Sequence, residues 1–330
     1  MQLFMVLLCG DIGASNSRLA VLDMNERKML GKEYFKNSDF SNFNGVLAQF
    51  QKKYPFQIAG ACFGVAGPVI DGSALITNLS WVLNADAIAR SFNIKQSFLI
   101  NDLEAIGYGI PTLDPSQCQK ILAGNPGPGH CAVIAPGSGM GESILFWNGK
   151  THTPIASEGG HASFSPTSTL QLEFLHYLNK EFKHVSWERV LSGPGILNIY
   201  RFLKDTGKGS ESATLAAKLK SSNSSAHITE AALNEKDPLS IKTVELYFEI
   251  LATEAGNLAL KCIPSAGLFI AGGITPKLLK LFDQKLFIKN FLHKGRMAGL
   301  LERIPVSLVL NDEVGIWGAG QYLKIQGQFQ

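Results

Sequence analysis

Two short glycine-rich stretches and a few carboxylates carry most of the chemistry open to this chain. The first stretch is Gly10-Asp11-Ile12-Gly13-Ala14-Ser15-Asn16. Small residues let backbone N–H groups approach a phosphate closely, and Ser15 adds a hydroxyl donor. An Asp suits a phosphate loop only with a cation in between, so Asp11 reads as a residue that holds Mg2+ through its waters. An ordinary hairpin turn closed by an Asx-type bond would carry the same residues. The second stretch is Pro136-Gly137-Ser138-Gly139-Met140-Gly141, and the same two readings apply to it, phosphate cradle or tight turn.

Three further groups could bind or react. Asn101-Asp102 closes the apolar run Leu99-Ile100 and puts an amide and a carboxylate at the end of a strand, where sites form in open α/β sheets. Asp102 there could take the proton of an attacking hydroxyl, or cap a helix beginning near Leu103, or both. Glu158-Gly159-Gly160-His161, with Glu188 further on, offers carboxylates and an imidazole of the kind that pair with sugar hydroxyls. Zinc is a poor fit for Glu158 and His161, because neither Cys nor a second His stands at ligand spacing. Glu188 alone would pass for a solvated charge at a helix start. Finally, Gly272-Gly273 follows the apolar run Leu268–Ala271 and precedes Thr275-Pro276, which leaves a flat slot for an adenine ring or a plain strand–helix turn.

The elements that must hold these residues alternate between strand and helix. Phe4–Cys9 and Arg18–Asp23 read as strands around the first loop, with a third near Lys32–Phe35. Val46, Leu47 and Phe50 fall at helical spacing. Strands follow at Gln57–Val65 and Ala74–Thr77, then a helix capped by Asn84 and a buried strand at Ser97–Asn101. Strands at Cys131–Ala135 and Ser143–Trp147 flank the second loop, so a strand–glycine loop–strand unit occurs twice and suggests a duplicated architecture. Helices are expected at Leu170–Phe182 and Pro194–Leu203, and exposed helix and loop from Lys204 to Lys236. Asp237-Pro238 opens a long helix whose buried stripe is Val244, Phe248, Leu251, Ala255 and Leu258. Ala266–Ala271 is a strand, and VGIWGAGQYL a closing helix.

Composition sets the class. The chain has 330 residues, more than one compact core usually holds, which favours two lobes. Apolar residues make up 45% and charged residues 17%, so disorder is excluded, and a net charge of +3 gives no support for a nucleic-acid or membrane-surface partner. The five cysteines stand singly in mostly apolar runs, which fits a reducing cytosol. The opening MQLFMVLLCG lacks a basic start and is too short to span a bilayer, so it reads as a buried strand. Neither loop has the spacing of a Rossmann fingerprint, and GxxxxGK[ST] is missing, which disfavours the usual nucleotide folds.

Taken together, GDIGASNSRLAV, GVAGPV with TNLSW, LINDLEA, APGSGMG, EGGHASFSP, WERVLSGPG, AGNLAL and FIAGGITP resemble the bacterial glucokinases, in order and along nearly the whole chain. The resemblance implies an α/β, two-lobed actin/hexokinase-like (ribonuclease H-like) fold with a central cleft. It implies a small lobe of residues 1–111 plus 312–330 and a large lobe of residues 112–311. It further implies a cytoplasmic homodimer that uses ATP and Mg2+ to convert glucose to glucose 6-phosphate. By position it makes Asp102 the general base and Asn101, Glu158, His161 and Glu188 the sugar-binding set. Gly10, Asp11, Ile12, Gly13, Ala14 and Ser15 become the first phosphate loop, with Asp11 toward the metal. Gly137, Ser138 and Gly139 become the second loop, and Gly272 and Gly273 the adenosine segment.

Four positions depart from the family pattern. Gly13-Ala14-Ser15 stands where Gly-Gly-Thr is usual, and Ala14 would cost on the order of 1 kcal/mol if its backbone needed positive φ. Ser138 replaces a Thr. Glu142 stands where a small or apolar residue is usual, and is expected to add negative charge near the phosphates. A kinase for another hexose or an amino sugar, and a sugar sensor that has lost ATP, are the alternatives. Asp102 argues against the sensor, which needs no base.

Overall fold

The computed structural model describes residues 6–76 and 79–327. Phe4 and Met5 of the expected first strand, and Thr77 and Asn78 of the TNLSW motif, lie outside the described residues. The chain divides into two compact units, Met1–Asp114 with Asn311–Gln330, and Pro115–Leu310.

The first unit contains β1 (Val6–Ile12), β2 (Asn16–Asp23), β3 (Lys28–Lys36), α1 (Phe43–Lys53), β4 (Gly60–Val65), β5 (Ser73–Ile76), β6 (Trp81–Asn84), α2 (Ala85–Ser91), β7 (Ser97–Asn101), α3 (Asp102–Gly109) and a C-terminal helix, Val314–Gln326. Five strands form one sheet in the order β3-β2-β1-β4-β7. The first three are an antiparallel meander, and β4 and β7 run parallel to β1. Strand β5 pairs with β6 as a separate two-stranded hairpin. Side chains of β1 alternate between two cores. Val6, Leu8 and Ile12 join Phe43, Leu47 and Phe50, whereas Leu7 and Cys9 join Ile100, Ala105, Ile316 and Leu323. Burial on both faces explains why β1 reads as an unbroken apolar run.

The C-terminal helix packs on α3 with almost no side chain in between. A Cβ added at Gly318 would lie 1.7 Å from the Ala105 carbonyl oxygen, and one at Gly109 would lie 2.0 Å from that of Val314. Backbone therefore meets backbone at both ends of the crossing. The helix that begins with Asp102 is thereby clamped by the last helix of the chain.

The second unit contains β8 (Cys118–Leu122), β9 (Cys131–Pro136), β10 (Met140–Trp147), β11 (His152–Ile155), α4 (Thr169–Leu178), α5 (Glu188–Leu191), α6 (Gly193–Asp205), α7 (Ala213–Ser221), α8 (Ser225–Glu230), α9 (Pro238–Cys262), β12 (Gly267–Ile270), α10 (Gln284–Phe291), α11 (Ala298–Leu301) and β13 (Val306–Val309). Its sheet runs β11-β10-β9-β12-β13-β8. Strands β9, β10 and β11 form an antiparallel meander, and β12 and β13 run parallel, with β8 added antiparallel at the edge. Both units thus start from the same plan of three antiparallel strands followed by two parallel ones, the duplication that the paired glycine loops suggest.

Several boundaries differ from the sequence expectation. Strand β4 starts at Gly60 rather than Gln57, and α4 stops at Leu178 rather than Phe182. Strands β8, β11 and β13 and helix α10 carry no strong local signal and were not expected. The strands are short, and sheet pairing rather than local pattern makes them. Helix α9 begins at Pro238 as expected, with the Asp237 carboxylate accepting from the Ser240 N–H at 2.8 Å. Its buried surface extends well beyond one stripe, because Leu239, Thr243, Leu246, Tyr247, Ile250 and Glu254 are also buried. From Lys204 to Lys236, α7 and α8 are helices that bury Leu215 and Ile228.

The glycine contact between α3 and the C-terminal helix can be tested. Gly318→Ala should destabilise the protein by about 3 kcal/mol or more, since the clash is with backbone that cannot rotate away. Gly299→Ala, with open space around the added carbon, should be neutral or mildly stabilising. Thermal unfolding of the two variants checks the contrast, and equal midpoints would contradict the close crossing.

Candidate active site

In the first unit, parallel pairing brings the expected residues to one edge. Asp11 pairs with Gly64 and Ile12 with Val65, while Val65 pairs in turn with Asn101. The ends of β1, β4 and β7 therefore lie side by side, which is where β-sheet sites of this kind form. Gly64 sits between Asp102 and Gly10. A Cβ there would meet the Asp102 Cα at 3.5 Å and the Gly10 carbonyl oxygen at 3.8 Å. Asn101 is the N-cap of α3, its Oδ1 accepting from the N–H groups of Leu103 at 2.9 Å and Glu104 at 3.4 Å. Its Nδ2 donates to the Gly67 carbonyl at 3.1 Å, so one amide proton is left for a ligand. Asp102 is the first helical residue rather than the cap, and it is half-buried, with Oδ1 accepting from the Leu103 N–H at 2.8 Å.

The first loop is held mainly by a residue that the sequence reading missed. The Asn37 side chain is buried. Its Nδ2 donates to the Gly13 carbonyl at 2.8 Å, its Oδ1 accepts from the Ser17 hydroxyl at 2.7 Å, and its backbone N–H donates to Ser15. A polar residue in a turn-rich stretch gives no sign in sequence that it will be buried. Ala14 is not at positive φ, so the strain cost considered for it does not arise. Gly10 is a packing glycine, because a Cβ there would meet Leu19 at 2.6 Å and Phe63 at 2.9 Å.

Asp11 is ion-paired. Its Oδ2 accepts from both Nε and Nη2 of Arg18, whose Nη1 reaches the Asp312 carbonyl at 2.9 Å. The arrangement leaves Oδ1 for waters. No three His, Cys, Asp or Glu among the described residues converge as a cage for a metal. Mg2+ needs no such cage, since it binds chiefly phosphates and water with one or two carboxylates, and a single free oxygen on Asp11 suits it.

In the second unit, the loop after β9 closes with the Gly137 N–H donating to Gly139 O at 2.8 Å, while Gly137 O accepts from the Gly193 N–H at the start of α6 at 2.9 Å. Gly272 has φ +84°, and a Cβ on it would lie 2.3 Å from the Pro136 carbonyl oxygen, so the expected adenosine segment lies against the second loop. Nothing lies near a Cβ added at Gly273, which leaves that side open. Glu188 is not a solvated charge. It is half-buried at the start of α5, and its Oε2 accepts from the Met140 N–H at 3.2 Å.

The Glu158 and His161 side chains are exposed, with His161 Nε2 3.8 Å from Glu158 Oε2. It is tied to the chain before α5 by the Trp187 N–H donating to Ala162 O and by His184 Nε2 against His161 O at 3.0 Å. His161 and Glu188 line one cleft of about 340 Å3, together with Ser186, His184, Lys183 and Arg189. That volume suits a small molecule.

Glu142 corrects the sequence expectation. It does not add charge beside the phosphates, because it is buried, and desolvation, together with the neighbouring Glu254 carboxylate, pushes its carboxyl up to about 8.

Known proteins similar to this chain share one family and one fold. A sequence model of the glucokinase family matches residues 8–326. The chain is 38% identical to the glucokinase of Nostoc punctiforme over 95% of its own length and 97% of that protein. Its fold is similar to the crystal structure of a glucokinase from an Antarctic psychrotroph, with a TM-score of 0.83 and 30% identity over 98% of this chain and all of the other. Glucokinase from Balamuthia mandrillaris, solved in complex with glucose, has a TM-score of 0.77 at 22% identity, over 96% of this chain and 93% of that one, and shares the fold. With a family match along almost its whole length and the two-lobed mixed α/β fold that goes with it, this chain belongs to the glucokinase family.

Proposed function

We propose a division of labour among the residues above for the glucokinase reaction, the ATP-dependent phosphorylation of glucose. The observation that carries it is the hydrogen bond from the Met140 N–H to Glu188. It joins an acid suited to sugar hydroxyls directly to a glycine loop suited to phosphates. Glu158, His161 and Glu188 hold the sugar through paired hydrogen bonds, and Asn101 contributes its remaining amide proton. Asp102 takes the proton of the sugar hydroxyl as that oxygen bonds to the γ-phosphorus of ATP and the bond to the bridging oxygen breaks, releasing ADP. The backbone amides of Gly13–Ser15 and Gly137–Gly139, with the hydroxyls of Ser15 and Ser138, receive the phosphate oxygens, and Gly272 and Gly273 flank the adenosine. Bound Mg2+ would neutralise the transferred charge, and Asp11 would hold its waters.

The unit carrying Asp102 and the first loop is the small lobe in this reading, and the unit carrying the second loop is the large one. The glucose bound by the Balamuthia relative supports glucose as the acceptor. No helix among the described residues is long and apolar enough to cross a membrane. A cytoplasmic homodimer goes with the same reading, and light scattering at working concentration tests the assembly.

Asp102→Asn should keep glucose affinity, read by calorimetry without nucleotide, and lose kcat by roughly 10²–10⁴-fold. Retention of more than about half the activity would remove Asp102 as the base.

Glu158→Gln and His161→Ala should weaken glucose binding by about 1–3 kcal/mol each and leave the ATP KM nearly unchanged. Glu188→Gln should raise both KM values, because Glu188 also holds the Met140 amide. Unchanged glucose affinity in all three variants would exclude this sugar site.

A further inference from the structure

Glu142 and Glu254 form a buried acid pair beneath the proposed sugar turn, and the reading that follows rests on that site. Glu142 lies on β10, three residues after Gly139, and its backbone pairs with Ile134. Its side chain fills the space where Gly159 lacks one. A Cβ on Gly159 would lie 2.5 Å from Glu142 Oε2 and 3.0 Å from Glu142 Cβ. Gly160 rests on the same strand, its missing Cβ 1.9 Å from the Met140 carbonyl oxygen. Both glycines between Glu158 and His161 are therefore seated on β10, one of them on the Glu142 carboxyl itself. Glu142 Oε1 is buried without a hydrogen-bond partner. Facing it from α9 is Glu254, fully buried, whose Oε1 is 3.2 Å from Lys261 Nζ and whose Oε2 accepts from Asn257 Nδ2 at 2.7 Å.

The remaining charges nearby complete the setting. Lys294 donates to Asn257 Oδ1 at 2.6 Å and acts on Glu254. Glu188 faces β10 from α5 through the Met140 amide, and Glu158 and His161 stand at the two ends of the turn. Lys261 and Asn257 occupy the two oxygens of Glu254, and burial beside Glu254 makes the Glu142 carboxyl hold its proton more tightly, which lets the two acids face each other away from water.

We propose that Glu142 is a positioning residue for the sugar site. While the Glu142–Glu254 pair holds one proton, the Glu142 side chain seats Gly159 and fixes the Glu158–His161 turn for binding. Loss of that proton sets two buried carboxylates against each other and lifts the turn off β10. Sugar affinity then becomes pH-dependent through a group that touches no substrate.

The effect on stability has a definite sign. The folded carboxyl holds its proton more tightly than the unfolded one. Its contribution is whole below the ordinary value of 4.5, erodes as pH rises, and is gone above about 8. Wild type should therefore lose melting temperature relative to Glu142→Gln across that window.

The deciding experiment is calorimetric titration of the nucleotide-free protein with glucose between about pH 6 and about pH 9, for wild type, Glu142→Gln and Glu142→Ala. Wild-type Kd should rise roughly tenfold over the upper part of that range. Glu142→Gln, of the same shape but without the titration, should remove the rise. Glu142→Ala should bind weakly at every pH, because the seat for Gly159 is gone. A rise of wild-type size in Glu142→Gln, or a flat wild-type profile, overturns the proposal. Intact glucose affinity in Glu158→Gln and His161→Ala would instead discard the sugar reading of the turn, and this inference with it. If those variants bind weakly while Glu142→Gln keeps the rise, only the role of Glu142 is lost.

Discussion

A parallel backbone ladder at the centre of each unit fixes what the loops around it can do. In the first unit it joins β1, β4 and β7, and in the second β9, β12 and β13. In the first unit β1 is buried on both faces, so a slip of one residue would turn apolar side chains of one core into the other and open both. Register is therefore held by the whole core. Because Asp11, Gly64 and Asn101 occupy fixed rungs, the positions of the first loop and of Asp102 follow from the packing of Leu7, Cys9, Phe63 and Ile100. The same holds in the second unit, where Ile134 and Ile270 are neighbours and the chain beyond them brings Pro136 against Gly272.

The acids near the loops are handled in three different ways, each with a distinct cost. Asp11 meets the Arg18 guanidinium in a partly exposed pair whose remaining hydration makes it inexpensive. Glu188 accepts a backbone N–H, which ties it to the second loop. Glu142 gives up its charge, because burial beside Glu254 costs more than a proton does at neutral pH. Counting carboxylates near the glycine loops would therefore overstate the negative charge beside them. What matters is which carboxylates retain solvent or a donor after folding.

Much of the candidate site was legible in the residue string because its signals are local. Gly-rich loops between apolar runs, Asn-Asp at a strand end and an Asp-Pro helix start depend on a few neighbouring residues, and each appears where its spacing places it. The order of eight motifs along the chain carried the family resemblance. Less legible were short strands such as β8, β11 and β13, which exist because a sheet edge is there to pair with. Asn37 and Gly64 were equally silent, since neither residue type announces that a loop or a helix will close on it.

The sequence by itself determined the kinds of chemistry present: two amide-lined loops, a carboxylate at the end of a buried strand, and an acid–imidazole turn with a second acid downstream. Tertiary structure decided which partner each group met. Asp11 found Arg18 one strand away, Glu188 found the Met140 amide, and Glu142 found Glu254 on a helix far along the chain. Charge state and hydrogen bonding depend on the local dielectric and on donors within a few ångströms, and these are set only when distant segments pack together.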